Sequence, residues 1–528
     1  MAPPDSNHTR HLVWVAVLTF AWLAATAWAR PLMLPDEGRY VGVAWEMLRS
    51  GDWLTPTLNG LPFFHKPPLF YWITAGSISI LGMNEWAARA APVFGAWIGA
   101  WAIFLFVRRW AGERAARRTL IALLVQPLFY VGGQFANLDM LVAGCITATI
   151  VLFAHAALIA EQQLPHRRTL AAAYAFAAIG VLAKGLIGAV IPVLVIAAWL
   201  MLLRRWRVLA TLVWTPGVLI FLTIAGPWFA AMQWRFADFL DYFFVVQHVM
   251  RFAGGGFNNV QPFWFYPAAL LLFSLPWLPW LWRTVRRGYL MGSGDDSTHG
   301  AVRLLIVVWL VVVVLFFSLP KSKLIGYVLP AVPPLAFLMA DSLLMLASPS
   351  PRTTRLWWAS ATISATISVG AVVGLSIHPV RSSRDLAAAL AAQHRPHEPV
   401  FMIANYYYDV PFYAKLRDAV VVVDEWASPD IRRQDNWRKE LADAAAFASA
   451  RSAAMLAVPE SLPSALCRAP VSWIIGPATA IDNDAFLARA RTVFRQNDTI
   501  LLRLDTAEPQ VAGALHCTGT PNDDSAGR

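Results

Sequence analysis

Long apolar runs separated by clusters of arginine recur through roughly the first 380 residues, and no other feature constrains this chain as strongly. An α-helix needs about 20 predominantly apolar residues to cross some 30 Å of hydrocarbon. The run Leu12–Ala29, after Arg10 and His11, is close to that length. A cleaved signal peptide is the rival reading of this run; the spans that follow favour a retained first helix. Of 528 residues, 58% are hydrophobic and only 14% charged, which excludes a soluble globular protein and a disordered chain. The net charge of +11 would suggest nucleic acid in a soluble protein. Here it reads first as the excess of Lys and Arg that stays on the cytoplasmic side of a membrane, with no nucleic acid partner.

That rule orients the chain. Arg108, Arg109, Arg114, Arg117 and Arg118 form one cluster, Arg167 and Arg168 a second, and Arg204, Arg205 and Arg207 a third. Arg283, Arg286 and Arg287 follow, then Arg352 and Arg355. Between successive clusters lie pairs of crossings at about 119–132 and 140–160, 169–183 and 185–203, 208–230 and 263–282, and 303–319 and 325–346. Further spans run from Ala87 to Val107 and from Trp357 to Ile377. Segment 69–82 is too short to cross and reads as a juxtamembrane or re-entrant helix. The expectation is a polytopic α-helical membrane protein of 11 to 13 crossings, in a bacterial inner membrane, with the N-terminus cytoplasmic and the C-terminus periplasmic. Residues 1–379 form the membrane domain, with external loops at about 31–86 and 231–262. Residues 380–528 form a small periplasmic α/β domain, with strands expected at Val400–Ala404, Ala419–Val423 and Val471–Ile475. For Cys467 and Cys517, a disulfide and two unpaired thiols are both open. The tail after Thr518 reads as disordered.

Ionisable residues in or beside apolar spans are costly and mark functional sites by default. Pro35-Asp36-Glu37-Gly38-Arg39-Tyr40 follows the first span; its carboxylates and Arg39 can share a helix face, or form an ordinary solvated loop. In Phe64-His65-Lys66-Pro67-Pro68 the diproline stiffens a loop carrying a His and a Lys. A Lys there suits a phosphate and a His suits a metal or a proton, against a bland reading as interfacial snorkelling. Asp139 is the only acid between Glu113 and Glu161 and falls at an external turn. Lys184, Lys321 and Lys323 fall on the external side, where orientation disfavours Lys, and read as anion ligands. The loop 231–262 adds His248, Arg251 and a Gly254-Gly255-Gly256 hinge. Cations, apolar walls and carboxylates together suit a lipid-linked phosphate substrate.

Those motifs, with Ser50-Gly51-Asp52-Trp53-Leu54-Thr55-Pro56, Asn59-Gly60, Tyr71-Trp72, Asn84-Glu85-Trp86-Ala87-Ala88-Arg89, Leu138-Asp139-Met140, Lys184-Gly185 and Pro320-Lys321-Ser322-Lys323 with Tyr327 and Pro330, resemble the 4-amino-4-deoxy-L-arabinose lipid A transferases. These are GT-C membrane glycosyltransferases related to protein O-mannosyltransferases. The resemblance runs from about residue 30 to 340 as an ordered set. It implies inverting transfer of a sugar from a polyprenyl (undecaprenyl) phosphate donor to lipid A or another glycoconjugate at the periplasmic face. It gives Asp36 and Asp139 the catalytic acidic positions, and Arg39, Lys66 and Tyr327 the donor phosphate. It places a metal at His248 and at the position before Lys-Pro-Pro, where His65 stands in place of the usual Glu. Two His favour zinc, with magnesium or manganese as alternatives. O-mannosyltransferases also place His before a diproline, which keeps protein Ser/Thr or another glycan open as acceptor. The sugar and the oligomeric state are not legible. A transporter or flippase for a lipid-linked or anionic solute is the rival class; it calls for midplane charges and paired broken helices, and neither pattern is present.

Overall fold

The computed structural model describes residues 6–250, 259–286, 289, 298–346, 350–379, 381–433, 435–482 and 486–517. The Gly254–Gly256 hinge, Arg251 and the tail after Thr518 lie outside the described residues. The chain divides into two compact units. The first comprises Met1–Pro31, Asp52–Leu54 and Phe64–Val380, and the second Leu32–Gly51, Thr55–Phe63 and Arg381–Arg528.

The first unit is helical. Among the described residues, six helices are long and apolar enough to cross a membrane: Ala90–Trp110, Leu138–Glu161, Thr215–Arg235, Thr298–Ser318, Ile325–Leu344 and Pro351–Ile377. A seventh is formed if Phe265–Phe273 and Leu275–Arg286, bent by 75°, count as one broken span. Thr9–Ala24, Leu69–Leu81 and Ile187–Leu202 are shorter apolar helices. Leu69–Leu81 has 13 residues, and at about 1.5 Å per residue it falls well short of the hydrocarbon thickness. Leu138–Glu161 is the most enclosed of the long apolar helices apart from Ile325–Leu344, with 83% of its apolar window buried. Its closest approach is to Ala90–Trp110, where Gly95 meets Gly144 and a β-carbon on Gly144 would strike the Gly95 backbone. In a bilayer, where lipid is as apolar as Leu, such small-residue contacts supply the packing between helices.

The second unit is α/β. Its six-stranded sheet consists of β3 (Val400–Ile403), β4 (Val421–Val423), β5 (Leu456–Ala457), β6 (Val471–Pro477), β7 (Arg491–Gln496) and β8 (Thr499–Asp505), in the order β5-β4-β3-β6-β8-β7. β5, β4, β3 and β6 run parallel, while β8 pairs antiparallel with both β6 and β7. β3 is buried on both faces, which explains its uninterrupted Val-Phe-Met-Ile run. Phe401, Ile474, Leu502 and Leu515 belong to the core on one face. Cys467 and Cys517 are joined by a disulfide beside that core.

The second unit also takes residues 32–51 and 55–63, which sequence reading places in the membrane domain. The physical reason is packing against the sheet unit. The Leu32 amide donates to the Tyr413 hydroxyl at 2.7 Å. The helix Asp36–Ser50 brings Gly38 so close to Tyr408 and Asp409 that a β-carbon would lie 2.9 Å from the Asp409 nitrogen. A small hairpin, β1 (Thr57–Leu58) and β2 (Leu61–Pro62), turns at Asn59-Gly60, both at positive φ, as a tight two-residue hairpin turn requires. Asn59 Nδ2 donates to the Val420 carbonyl and its Oδ1 accepts from the Val420 amide, each at 2.9 Å. Glu46 accepts from Thr57 Oγ1 and from the amides of Asn59 and Gly60, fixing the turn to the helix.

Candidate active site

In the first unit the chemistry gathers around Asp139. Asn137 caps the helix Leu138–Glu161, its Oδ1 accepting from the Asp139 amide at 3.0 Å, and its Nδ2 donates to Asp139 Oδ2 at 3.0 Å. The carboxylate, 5% exposed, is therefore oriented by the residue that starts its own helix. Lys184 is the last residue of Arg167–Lys184; the helix stops because Gly185 takes a φ of +98°. That break carries the Lys184 ammonium to Asp139 Oδ1, with which it forms an ion pair. The same ammonium stands 4.2 Å from the centroid of the Tyr327 ring. Gly326, just before that tyrosine, lies so close to Asp139 that a β-carbon there would overlap the carboxylate. Asp139, Lys184 and Tyr327, separate in sequence, form one cluster.

The lysines after Pro320 divide. Lys321 is exposed. Lys323 is buried, and its Nζ donates to the carbonyls of Gln261 and Pro320 at 2.9 and 2.5 Å. Backbone bonds from Lys323 to Asn259 and from Gln261 to Lys321 complete a two-stranded clasp. These carbonyl oxygens hold the Lys323 ammonium, which joins two loops. His65 is buried, with its ring 6.0 Å from that of Tyr242, while Lys66 is half-buried beside it. His248 lies in the segment Asp241–Met250, and its side chain is outside the described residues. Among the described residues no three His, Cys, Asp or Glu side chains converge as metal ligands. A zinc site uses three or four donors, of which His65 would supply one.

In the second unit, Asp36 and Arg39 lie one helical turn apart. Arg39 Nη2 donates to Asp36 Oδ1 at 2.8 Å, and Nη1 donates to Glu440 Oε1 at 2.5 Å. Tyr408 donates its hydroxyl to Glu440 Oε2 at 2.6 Å, and its ring centroid lies 5.4 Å from the guanidinium. Burial disfavours the Arg39 cation, but Glu440, Tyr408 and Asp36 outweigh it and hold the guanidinium well above its usual range. Burial, reinforced by Glu440, also pushes the Tyr408 phenol well up and keeps it a donor.

Sequence reasoning missed Glu440 altogether. It quoted Arg89 only as part of a motif. Arg89 is fully buried in the first unit and donates to the carbonyls of Ala27, Arg30 and Pro31, bracing the chain where the first helix ends. An Arg inside an apolar segment was the signal available for it.

The crystal structure of ArnT from Cupriavidus metallidurans bound to undecaprenyl phosphate superposes on this chain with a TM-score of 0.78 at 23% identity, covering 94% of this chain and 98% of that one. That likeness sets the class: a polytopic helical membrane protein of the GT-C fold. A family model for dolichyl-phosphate-mannose-protein mannosyltransferase matches residues 65–230. The undecaprenyl phosphate-alpha-4-amino-4-deoxy-L-arabinose arabinosyl transferase of Pectobacterium atrosepticum is 33% identical over 315 residues, covering 59% of this chain and 55% of that one. Its counterpart in Enterobacter is 30% identical over 375 residues, covering 69% and 66%. In sequence this chain resembles these aminoarabinose arabinosyl transferases, and in fold the ArnT structure. The match spans little more than half the length of the first curated relatives, 55% in Pectobacterium and 56% in Aeromonas salmonicida.

Proposed function

We propose that this protein is an inverting GT-C glycosyltransferase that moves a sugar from a polyprenyl phosphate donor to an acceptor, and that the transfer is of aminoarabinose to a lipid A phosphate. The donor is of the kind the curated relatives carry in their name, undecaprenyl phosphate-linked aminoarabinose. The observation that carries the reading is the buried Asp139 carboxylate, aimed by Asn137 and paired with Lys184 where two apolar helices begin and end.

In the proposed reaction an acceptor oxygen attacks the anomeric carbon, the bond from that carbon to the donor phosphate oxygen breaks, and polyprenyl phosphate leaves with the electron pair. An ionised lipid A phosphate needs no base, whereas a hydroxyl acceptor needs a positioned carboxylate. Asp36 and Asp139 are the carboxylates assigned to catalysis. Arg39, Lys66 and Tyr327 are assigned to the donor phosphate, whose growing charge preorganised cations stabilise. Lys184 forms an ion pair with Asp139 and supplies the compensating charge beside it. The same reading sets 11 to 13 crossings, an inner-membrane location with the N-terminus cytoplasmic, and the α/β unit in the periplasm.

A second acceptor, a protein Ser or Thr, draws support from the mannosyltransferase model over residues 65–230 and from His65 ahead of the diproline. Mass spectrometry of lipid A and of envelope glycoproteins from a deletion strain separates the two. Loss of aminoarabinose from lipid A supports the first reading. Unchanged lipid A with loss of protein-linked sugar supports the second.

A further inference from the structure

The arginine cluster at the turn between the helices Ala90–Trp110 and Glu113–Val125 is built as a cavity, beyond what orientation alone requires. His11, Arg108, Glu113 and Arg117 line a volume of about 430 Å³. Glu113 spends one oxygen on each arginine: Oε2 accepts from Arg108 Nε at 2.6 Å and Oε1 from Arg117 Nε at 2.8 Å. One carboxylate thus fixes two guanidinium planes through their Nε edges. Arg117 extends Nη2 toward His11 Nε2, 3.5 Å away, and its side chain stays 57% exposed.

The charge balance leaves this cavity cationic. Two guanidiniums against one carboxylate give a surplus of one, and Arg109, Arg114 and Arg118 flank them in sequence with no ion-pair partner among the described residues. A cavity with clamped arginines and a cationic surplus fits an oxyanion, because guanidinium groups match phosphate oxygens in pairs. Its place selects the kind of phosphate. Ala90–Trp110 is a membrane-length helix, Arg109 stacks 4.7 Å from the Trp110 ring centroid, and Trp14, one turn along the first helix from His11, is 64% exposed. Tryptophan and arginine together at the end of an apolar helix, as Trp110 and Arg109 are, mark the headgroup level of a bilayer. We propose that His11, Arg108 and Arg117, aligned by Glu113, form a binding site for the phosphate of an anionic membrane lipid.

The test is native mass spectrometry of the full-length purified protein titrated with phosphatidylglycerol, phosphatidylcholine or inorganic phosphate. Phosphatidylglycerol should bind more tightly than phosphatidylcholine, and Arg117→Gln should weaken that binding about fivefold, the effect of about 1 kcal/mol per basic residue at a charged surface. His11→Ala with Arg117→Gln should weaken it further. Both residues are exposed, so folding and sugar transfer should be unchanged in these variants. Arg204→Gln with Arg207→Gln, in another basic cluster, should leave binding at the wild-type level. Binding of inorganic phosphate alone, lost in Arg117→Gln, would retain the oxyanion site and assign it to the free ion, overturning the lipid assignment. Equal binding of the two lipids, or wild-type phosphatidylglycerol binding by the His11→Ala, Arg117→Gln variant, would overturn the site itself.

Discussion

Glu440 lies 401 residues beyond Arg39 in the chain and accepts from its Nη1 at 2.5 Å, with the two side chains only 5% and 15% exposed. The bond ties the helix Asp36–Ser50 to the helix Trp437–Ala446 of the same α/β unit.

Removing one partner of this pair should destabilise the unit more than removing both. Arg39→Met leaves Glu440 buried beside the Tyr408 hydroxyl, and breaking such a pair costs about 3 kcal/mol. Arg39→Met with Glu440→Leu should recover much of that loss. The melting temperatures of the purified single and double variants, compared as a double-mutant cycle, check the coupling. Additive losses would mean that the two residues act independently.

Asp139→Asn should lower sugar transfer in reconstituted membranes by about a hundredfold or more if the carboxylate acts on a hydroxyl acceptor. Gly326→Ala, whose methyl would occupy the carboxylate's place, should reduce transfer strongly with Asp139 intact. Asn137→Ala removes a cap and one bond to the carboxylate, and its loss should be smaller. Wild-type turnover in both Asp139→Asn and Gly326→Ala would remove Asp139 from the reaction.

The α/β unit should lose stability between about pH 4 and 6. Burial raises the Asp409 carboxyl from 3.8 to about 6, opposed by bonds from the Ser383 amide and the Ser382 hydroxyl. In that window the folded unit keeps a proton that the unfolded chain releases, so stability falls as pH rises and then levels off. Asp409→Asn should flatten the profile, as read by thermal unfolding across pH. An unchanged slope in the variant would assign the titration to another group.

Reduction of Cys467–Cys517 should lower the stability of the same unit. The bridge closes a separation of 50 residues, and loops of such size correspond to about 4 kcal/mol in the chain-entropy account. Cys467→Ser should match the reduced wild type in melting temperature and gain nothing further from reductant.

Much of the first unit was legible because its cause is local. Apolar run length, the arginine clusters and Gly185 locate the helices around Asp139 and Lys184, and the shortness of 69–82 follows from counting residues. Strands β3, β4 and β6 were legible from their β-branched runs. Strands β5, β7 and β8 were not, since their pattern is shorter or broken by charge.

The sequence by itself determined that the chain crosses a membrane, where its costly charges fall, and which motifs it shares with the aminoarabinose transferases, because hydrophobic transfer acts residue by residue along the chain. Only the tertiary structure decided that residues 32–51 and 55–63 fold with the sheet unit, that Glu440 answers Arg39, and that the Lys323 ammonium meets the carbonyls of Gln261 and Pro320. Each of those rests on a hydrogen bond or close contact between segments distant in sequence, and such a contact leaves no periodicity in either segment.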